Sequence, residues 1–158
     1  MTDARVRNAG LYQEDFFLWA KEQARLLRER RFDELDLDNL IDEVESVGTS
    51  ERREIRDRMT VLVAHLLKWK CQPGRRTPSW QRTIRDQRAE LAELFEDSPS
   101  LRSYPEQVCA RIYEGARLRA SEETGIDFTL FPEAPPFTLE QALDDGFLPK
   151  EPDLLDQS

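Results

Sequence analysis

Residues 50–70, SERREIRDRMTVLVAHLLKWK, decide the fold. Ile55, Met59, Leu62, Leu66 and Trp69 recur every three or four positions, a spacing that places them on one face of an α-helix. Over the last three turns Val61, Val63, Ala64 and Leu67 add apolar groups to the remaining faces. A helix apolar nearly all round has no solvated side, so this segment is expected to be the central, most buried element of a helical bundle, with Ser50 as its N-cap.

Working outward toward the N-terminus, LDLDNLIDEVESVG at residues 35–48 reads as a short helix. Asp36 is its expected N-cap, Leu37, Leu40, Ile41, Val44 and Val47 form an apolar stripe, and Gly48 supplies a stop. A first helix is expected from about Tyr12 to Arg30. Its stripe is Phe16, Ala20, Gln23 and Leu27, flanked by Trp19 and Leu26 on one side and Phe17 and Ala24 on the other. Glu14 and Asp15 begin this helix and Arg28, Arg30 and Arg31 end it, as the macrodipole prefers. Residues 1–10 lack periodicity and read as a flexible leader.

Toward the C-terminus, CQPGRRTPS at residues 71–79 is a turn. A helix from about Ser79 to Glu96 directs Trp80, Ile84, Leu91, Leu94 and Phe95 inward, with Gln87 on the same side. Ser98 and Pro99 open a fifth helix that carries Leu101, Tyr104, Val108, Ile112 and Ala116 and ends at Gly125, with Pro105 positioned to kink it or split off its first turn. FPEAPPF at residues 131–137 is an extended, proline-rich strap, and Thr138 with Gln141 makes a capping box for a last short helix ending near Asp144. Phe128, Phe131, Phe137, Leu139, Leu143 and Phe147 are too many large apolar groups for a free tail, so the strap is expected to pack on the bundle. The reading is all-α: an up-and-down antiparallel bundle of four or five helices forming one domain over residues 11–149, closed by the strap and the short terminal helix. Residues 150–158 are expected to be a disordered tail.

The composition agrees, with 39% apolar and 35% charged residues among 158, as amphipathic helices with one wet face require. Cys71 and Cys109 make no C-x-x-C pair, which argues against a disulfide framework or zinc knuckle. No window approaches eighteen apolar residues, and MTDARVRNAG lacks the apolar core of a signal peptide, so a cytoplasmic chain that spans no membrane is expected. The net charge of −9 is unevenly spread. Residues 52–88 hold eleven bases and three acids, whereas residues 121–158 hold one base and ten acids. An acidic chain lacks the uncompensated basic surface of a nucleic-acid binder. The basic middle leaves nucleic-acid or regulatory binding through the third and fourth helices as an alternative, and the acidic tail could fold over those helices and mask them.

The strings YQEDFFLWAKEQARLLRERRFDELDLDNLIDEVESVG, HLLKWKCQP, SWQRTIRDQR, SPSLR and FPEAPPFTLEQALDD together resemble a family of bacterial proteins known as domain of unknown function family 29. The resemblance covers roughly residues 11–149. It implies an all-helical, soluble, bacterial protein and transfers no activity or site residue.

Two groups of side chains are candidate sites. The first surrounds His65, the only histidine, which lies about 100° from the centre of the main stripe and so at a helix interface. Asp15, Glu43 and Glu45 could face the same seam, and with His65 they could form a buried polar cluster. The alternative reading of such a cluster is a small metal-dependent or hydrolytic enzyme. Facing Glu-x-x-His pairs are missing, because Leu62 and Lys68 stand three residues to either side, so the favoured role of His65 is a hydrogen-bonded structural one with no metal. The second group is Lys68, Trp69, Lys70, Gln72, Arg75, Arg76 and Trp80, a basic and aromatic end that could bind an anion or an acidic protein surface. The plainer account has the lysines complementing a helix C-terminus and the tryptophans filling the end of the core. No G-x-G-x-x-G, G-K-[ST] or G-x-S-x-G element occurs, so no nucleotide cofactor or serine nucleophile is expected. The leading expectation is a non-enzymatic interaction or adaptor module whose partner is another protein. Both a monomer and a homodimer are open, because Leu18 and Leu118 fall off the inward stripes.

Overall fold

The structure, a computed structural model, describes residues 2–150. It is all-α. Seven α-helices and no strand occur among the described residues: α1 Thr2–Glu14, α2 Phe16–Arg28, α3 Leu37–Cys71, α4 Pro78–Asp97, α5 Tyr104–Gln107, α6 Cys109–Thr124 and α7 Leu139–Leu143. The chain is described as two compact units, Met1–Ser50 and Glu51–Ser158.

In the first unit, the segment expected as a loose leader is helical from Thr2 onward. The expected first helix is interrupted at Asp15, whose extended backbone and carboxylate, accepting from Leu18 N at 3.0 Å, cap α2. Arg30 ends α2 in the left-handed conformation (φ 58°), and Arg31 N returns to Leu26 O. The buried row of α2 is Trp19, Gln23 and Leu26, while Phe16, Ala20 and Leu27 of the expected stripe are exposed. Asp36 makes the difference. Its carboxylate accepts from the Trp19 indole at 2.9 Å, and its backbone N–H donates to Gln23 Oε1 at 2.8 Å. Both side chains are thereby drawn to the start of α3.

The short helix expected to stop at Gly48 and the helix expected to begin at Ser50 are one 35-residue helix, α3. Glycine in a helix interior costs only about 1 kcal/mol relative to alanine. With no proline beside it and the good helix formers Glu51 to Glu54 only three residues on, Gly48 is carried through rather than terminating the run.

In the second unit, α3 and α4 run antiparallel. Glu51 accepts from Ser98 (3.0 Å), Arg58 reaches Glu90 (3.6 Å), and the Lys68 ammonium stands over the Trp80 ring (4.8 Å). By contrast α6 is parallel to α3. A Cβ at Gly115 would meet Thr60 at 3.3 Å, so these helices approach closely, and eight residues further on Lys68 meets Glu123. The resulting up-down-up bundle buries Ile55, Met59, Leu62 and Leu66 of α3 against Ile84, Leu91 and Phe95 of α4 and Ile112, Ala116 and Ala120 of α6. Every residue from Leu62 to Lys68 is buried, as expected of a helix apolar all round.

The expected fifth helix is broken into a 3₁₀ turn, α5 and α6. Pro105 lies in the first turn of α5, where its missing N–H is harmless, and the interruption falls at Val108. Gly125 ends α6 with φ 72°, a conformation open to glycine without strain.

The strap packs on the bundle as expected, with Phe131, Phe137 and Ala142 in the core. Thr138 and Gln141 form the expected capping box of α7. Polar ties reinforce this packing. Tyr113 donates to the carbonyl of Pro132 (2.6 Å), with that of Ala134 beside it (3.2 Å) as an alternative acceptor, and Arg88 donates to those of Ala142 (2.8 Å), Asp145 (3.3 Å) and Phe147 (2.7 Å). From residue 151 the expected tail, with three of the ten acids proposed to mask the basic helices, lies outside the described residues.

Candidate functional site

His65 is buried in the second unit, and both its ring nitrogens are engaged. Nδ1 donates to Val61 O at 2.9 Å, which leaves the Nε2 lone pair to accept from Lys68 Nζ at 3.4 Å. Burial lowers the His65 pKa, the bond to Val61 opposes this, and the Lys68 charge lowers it further. The imidazole is therefore held neutral, without a free lone pair for a metal ion or a substrate proton. Lys68 also donates to Glu123 Oε2 at 2.7 Å. Burial pushes the Glu123 pKa up, but the hydrogen bond and charge of Lys68 and the charge of Arg119 outweigh it and leave the group below its ordinary value. His65, Lys68, Glu123 and Trp80 thus form a closed polar knot joining α3, α4 and α6.

Asp15, Glu43 and Glu45 belong to the first unit, so the four members of the expected cluster find their partners separately. Asp15 caps α2, Glu43 accepts from Tyr12 Oη at 2.6 Å, and Glu45 is exposed. Among the described residues, no three His, Cys, Asp or Glu side chains are grouped to hold a metal ion.

The basic and aromatic residues do collect where α3 meets α4, but most are already engaged. Lys68 is buried in the knot, and Lys70 donates to Lys150 O at 3.1 Å. Arg76 donates to Trp69 O at 2.8 Å while its guanidinium stacks over the Trp69 ring at 4.8 Å. Gln72, Trp69 and Trp80 are half-buried, and only Arg75 stands fully open. The Arg76 bond closes a free carbonyl in the last turn of α3, where a cation is favoured.

The feature that periodicity misassigned lies on the first part of α3. Leu37, Ile41, Val44 and Val47, expected to be buried, are 57, 46, 67 and 62% exposed. The face of α3 that carries Asp36, Asn39, Leu40 and Glu43 is the one that engages α1 and α2 through the Trp19 and Tyr12 bonds. The apolar row stands about a quarter turn away from it. From Val44 to Ser50 every residue is exposed. Phe16 and Phe17 of α2, and Phe32, are also exposed in this unit. Phe16 touches Tyr12 edge-on and stacks on Trp19.

Helices alone, arranged in two compact units, define an all-α protein of the helical-bundle class. The chain belongs to the family described as Domain of unknown function DUF29, whose model matches residues 11–148. No curated protein and no solved structure matches it. None of the helices of the described residues is long and apolar enough to cross a membrane.

Proposed function

We propose that the protein is a non-enzymatic interaction module of the bacterial cytosol, and that another protein docks on the face of α3 carrying Leu37, Ile41, Val44 and Val47. The observation that carries this reading is the exposure of four branched apolar side chains in a row on one helix. Apolar groups left together in water are a standing cost, and covering the exposed half to two thirds of each one contributes about 1–2 kcal/mol. The basic end of α3 suits docking less well, because Lys68, Lys70 and Arg76 already donate within the chain. The engaged nitrogens of His65 likewise favour a binding role over an enzymatic one.

A photo-crosslinking residue placed at Val44, in cells that make the protein, tests the reading. A discrete protein adduct at that position, stronger than from the exposed position Glu93 on α4, is the expected result. Equal, diffuse labelling from both positions would count against a docking face on α3.

A further inference from the structure

We infer that the occupant of this face is an amphipathic helix of another protein whose apolar stripe is bordered by lysine and arginine. The inference rests on the docking reading above and adds the chemistry of the partner.

The exposed row spans about 15 Å at 1.5 Å per residue, close to three helical turns. Its members stand at i, i+4, i+7 and i+10, the spacing that one helix offers to the grooves of another. Beside this row runs a second. Asp38, Asp42 and Glu45 each follow a member of the apolar row by one residue, so they line one flank, rotated by about 100°. All three are exposed, and none makes an ion pair among the described residues. No lysine or arginine occurs anywhere from Phe32 to Glu51. The segment is therefore an apolar stripe with an acidic border that supplies no cation of its own; Arg5 of α1 shares a cleft with Asp38 at one end of it. A partner helix with cations at the matching border positions neutralises that row while its own stripe covers Ile41 and Val44, as charged border residues do in coiled coils.

The same arrangement disfavours a second copy of this segment. An antiparallel pairing sets the acidic row against itself, and a parallel pairing offers it no cation, since the segment contains none. An anionic lipid surface is opposed by the same charges.

The test uses the full chain and fluorescein-labelled peptides about 18 residues long, enough for a short helix. One peptide is a leucine-lysine amphipathic helix, one replaces each lysine by glutamate, and one scrambles the leucine-lysine sequence so that the stripe is lost. The lysine helix should bind at least about ten-fold more tightly than either control, with an affinity that falls as salt rises. The double variant Ile41→Asp with Val44→Asp should weaken binding by about ten-fold or more although it adds two negative charges. The triple variant Asp38→Asn, Asp42→Asn, Glu45→Gln should weaken it and flatten the salt dependence. Because every substituted side chain is exposed, the variants should keep the helical circular dichroism of the parent. Unchanged or tighter binding by the aspartate variant would reduce the effect to bulk charge and overturn the inference, as would equal binding of the glutamate helix. If Val44 crosslinks to a protein but the lysine helix does not bind, the docking face stands and the partner class falls. If neither occurs, both fall. A concentration-dependent dimer in sedimentation that Val44→Asp abolishes would assign the face to a second copy and also overturn the inference.

Discussion

Replacing Arg88 by methionine should release the strap from the second unit. Arg88 is 5% exposed, and its guanidinium bonds three carbonyls, those of Ala142, Asp145 and Phe147, at 2.8, 3.3 and 2.7 Å. Ala142 is fully buried, so its carbonyl would be left dry, a loss of about 1–3 kcal/mol. Asp145 is exposed and Phe147 half-buried, so their carbonyls can turn to water, and each lost bond removes about 1 kcal/mol. The sum is about 3–5 kcal/mol. With a urea slope of about 2 kcal/mol/M this moves the unfolding midpoint of the second unit down by about 1.5–2.5 M. Arg88→Lys keeps the charge and the stem but loses the planar fork, so it should show about half the effect. Limited proteolysis supplies the second readout. The parent should resist cleavage between residues 131 and 148, and the methionine variant should be cut there first. A methionine variant within about 0.5 kcal/mol of the parent and equally protected in the strap would refute the assignment of Arg88 as the clasp.

Gly48→Ala should raise thermal stability by about 1 kcal/mol, because Gly48 lies inside α3 with open space at its Cβ, whereas Gly125→Ala should lower it by about 1 kcal/mol because φ there is 72°. Lower stability in Gly48→Ala would mean that the helix does end there. Glu123→Gln should destabilise the second unit more than Glu122→Gln does, by about 1–3 kcal/mol in denaturant titration, because Lys68 would lose its carboxylate partner while still buried. Since His65 titrates below 6.5 when folded, the unfolded chain binds more protons in that window. The stabilisation is complete above pH 6.5 and is lost as pH falls through the folded value, and His65→Gln should flatten this part of the stability curve. A variant with the same acid-side slope as the parent would remove His65 from the account.

Much of the fold was legible because the sequence offered no competing arrangement. Leu62, Val63, Ala64, Leu66 and Leu67 surround this part of α3 with apolar groups, and the aromatic residues of the strap could not remain in water, so their burial followed from composition. The two rows of α2 were a different matter. Phe16, Ala20, Gln23 and Leu27 share one helical spacing, and Trp19, Gln23 and Leu26 share another a fraction of a turn away. The choice between them was made by Asp36, outside the helix, through bonds that periodicity does not encode. Gly48 misled for a local reason, since its propensity penalty is real but smaller than the cost of ending a helix without a cap. The partner of Lys68, Glu123, stands 55 residues away, and nothing near Lys68 announces it. For Leu37, Ile41, Val44 and Val47, spacing identified correctly which side chains share a face. It could not say what covers that face, which is a tertiary property, and this is why a row that reads as core is the candidate docking surface.

Hydroxyl-radical footprinting of the dilute, purified chain tests that exposure directly. Leu37, Ile41 and Val44 should oxidise as readily as the exposed Leu118, while Leu62, Leu66 and Leu67 stay protected. Protection of Ile41 and Val44 equal to that of the core leucines would mean that the chain already covers this face, and the docking account would be contradicted.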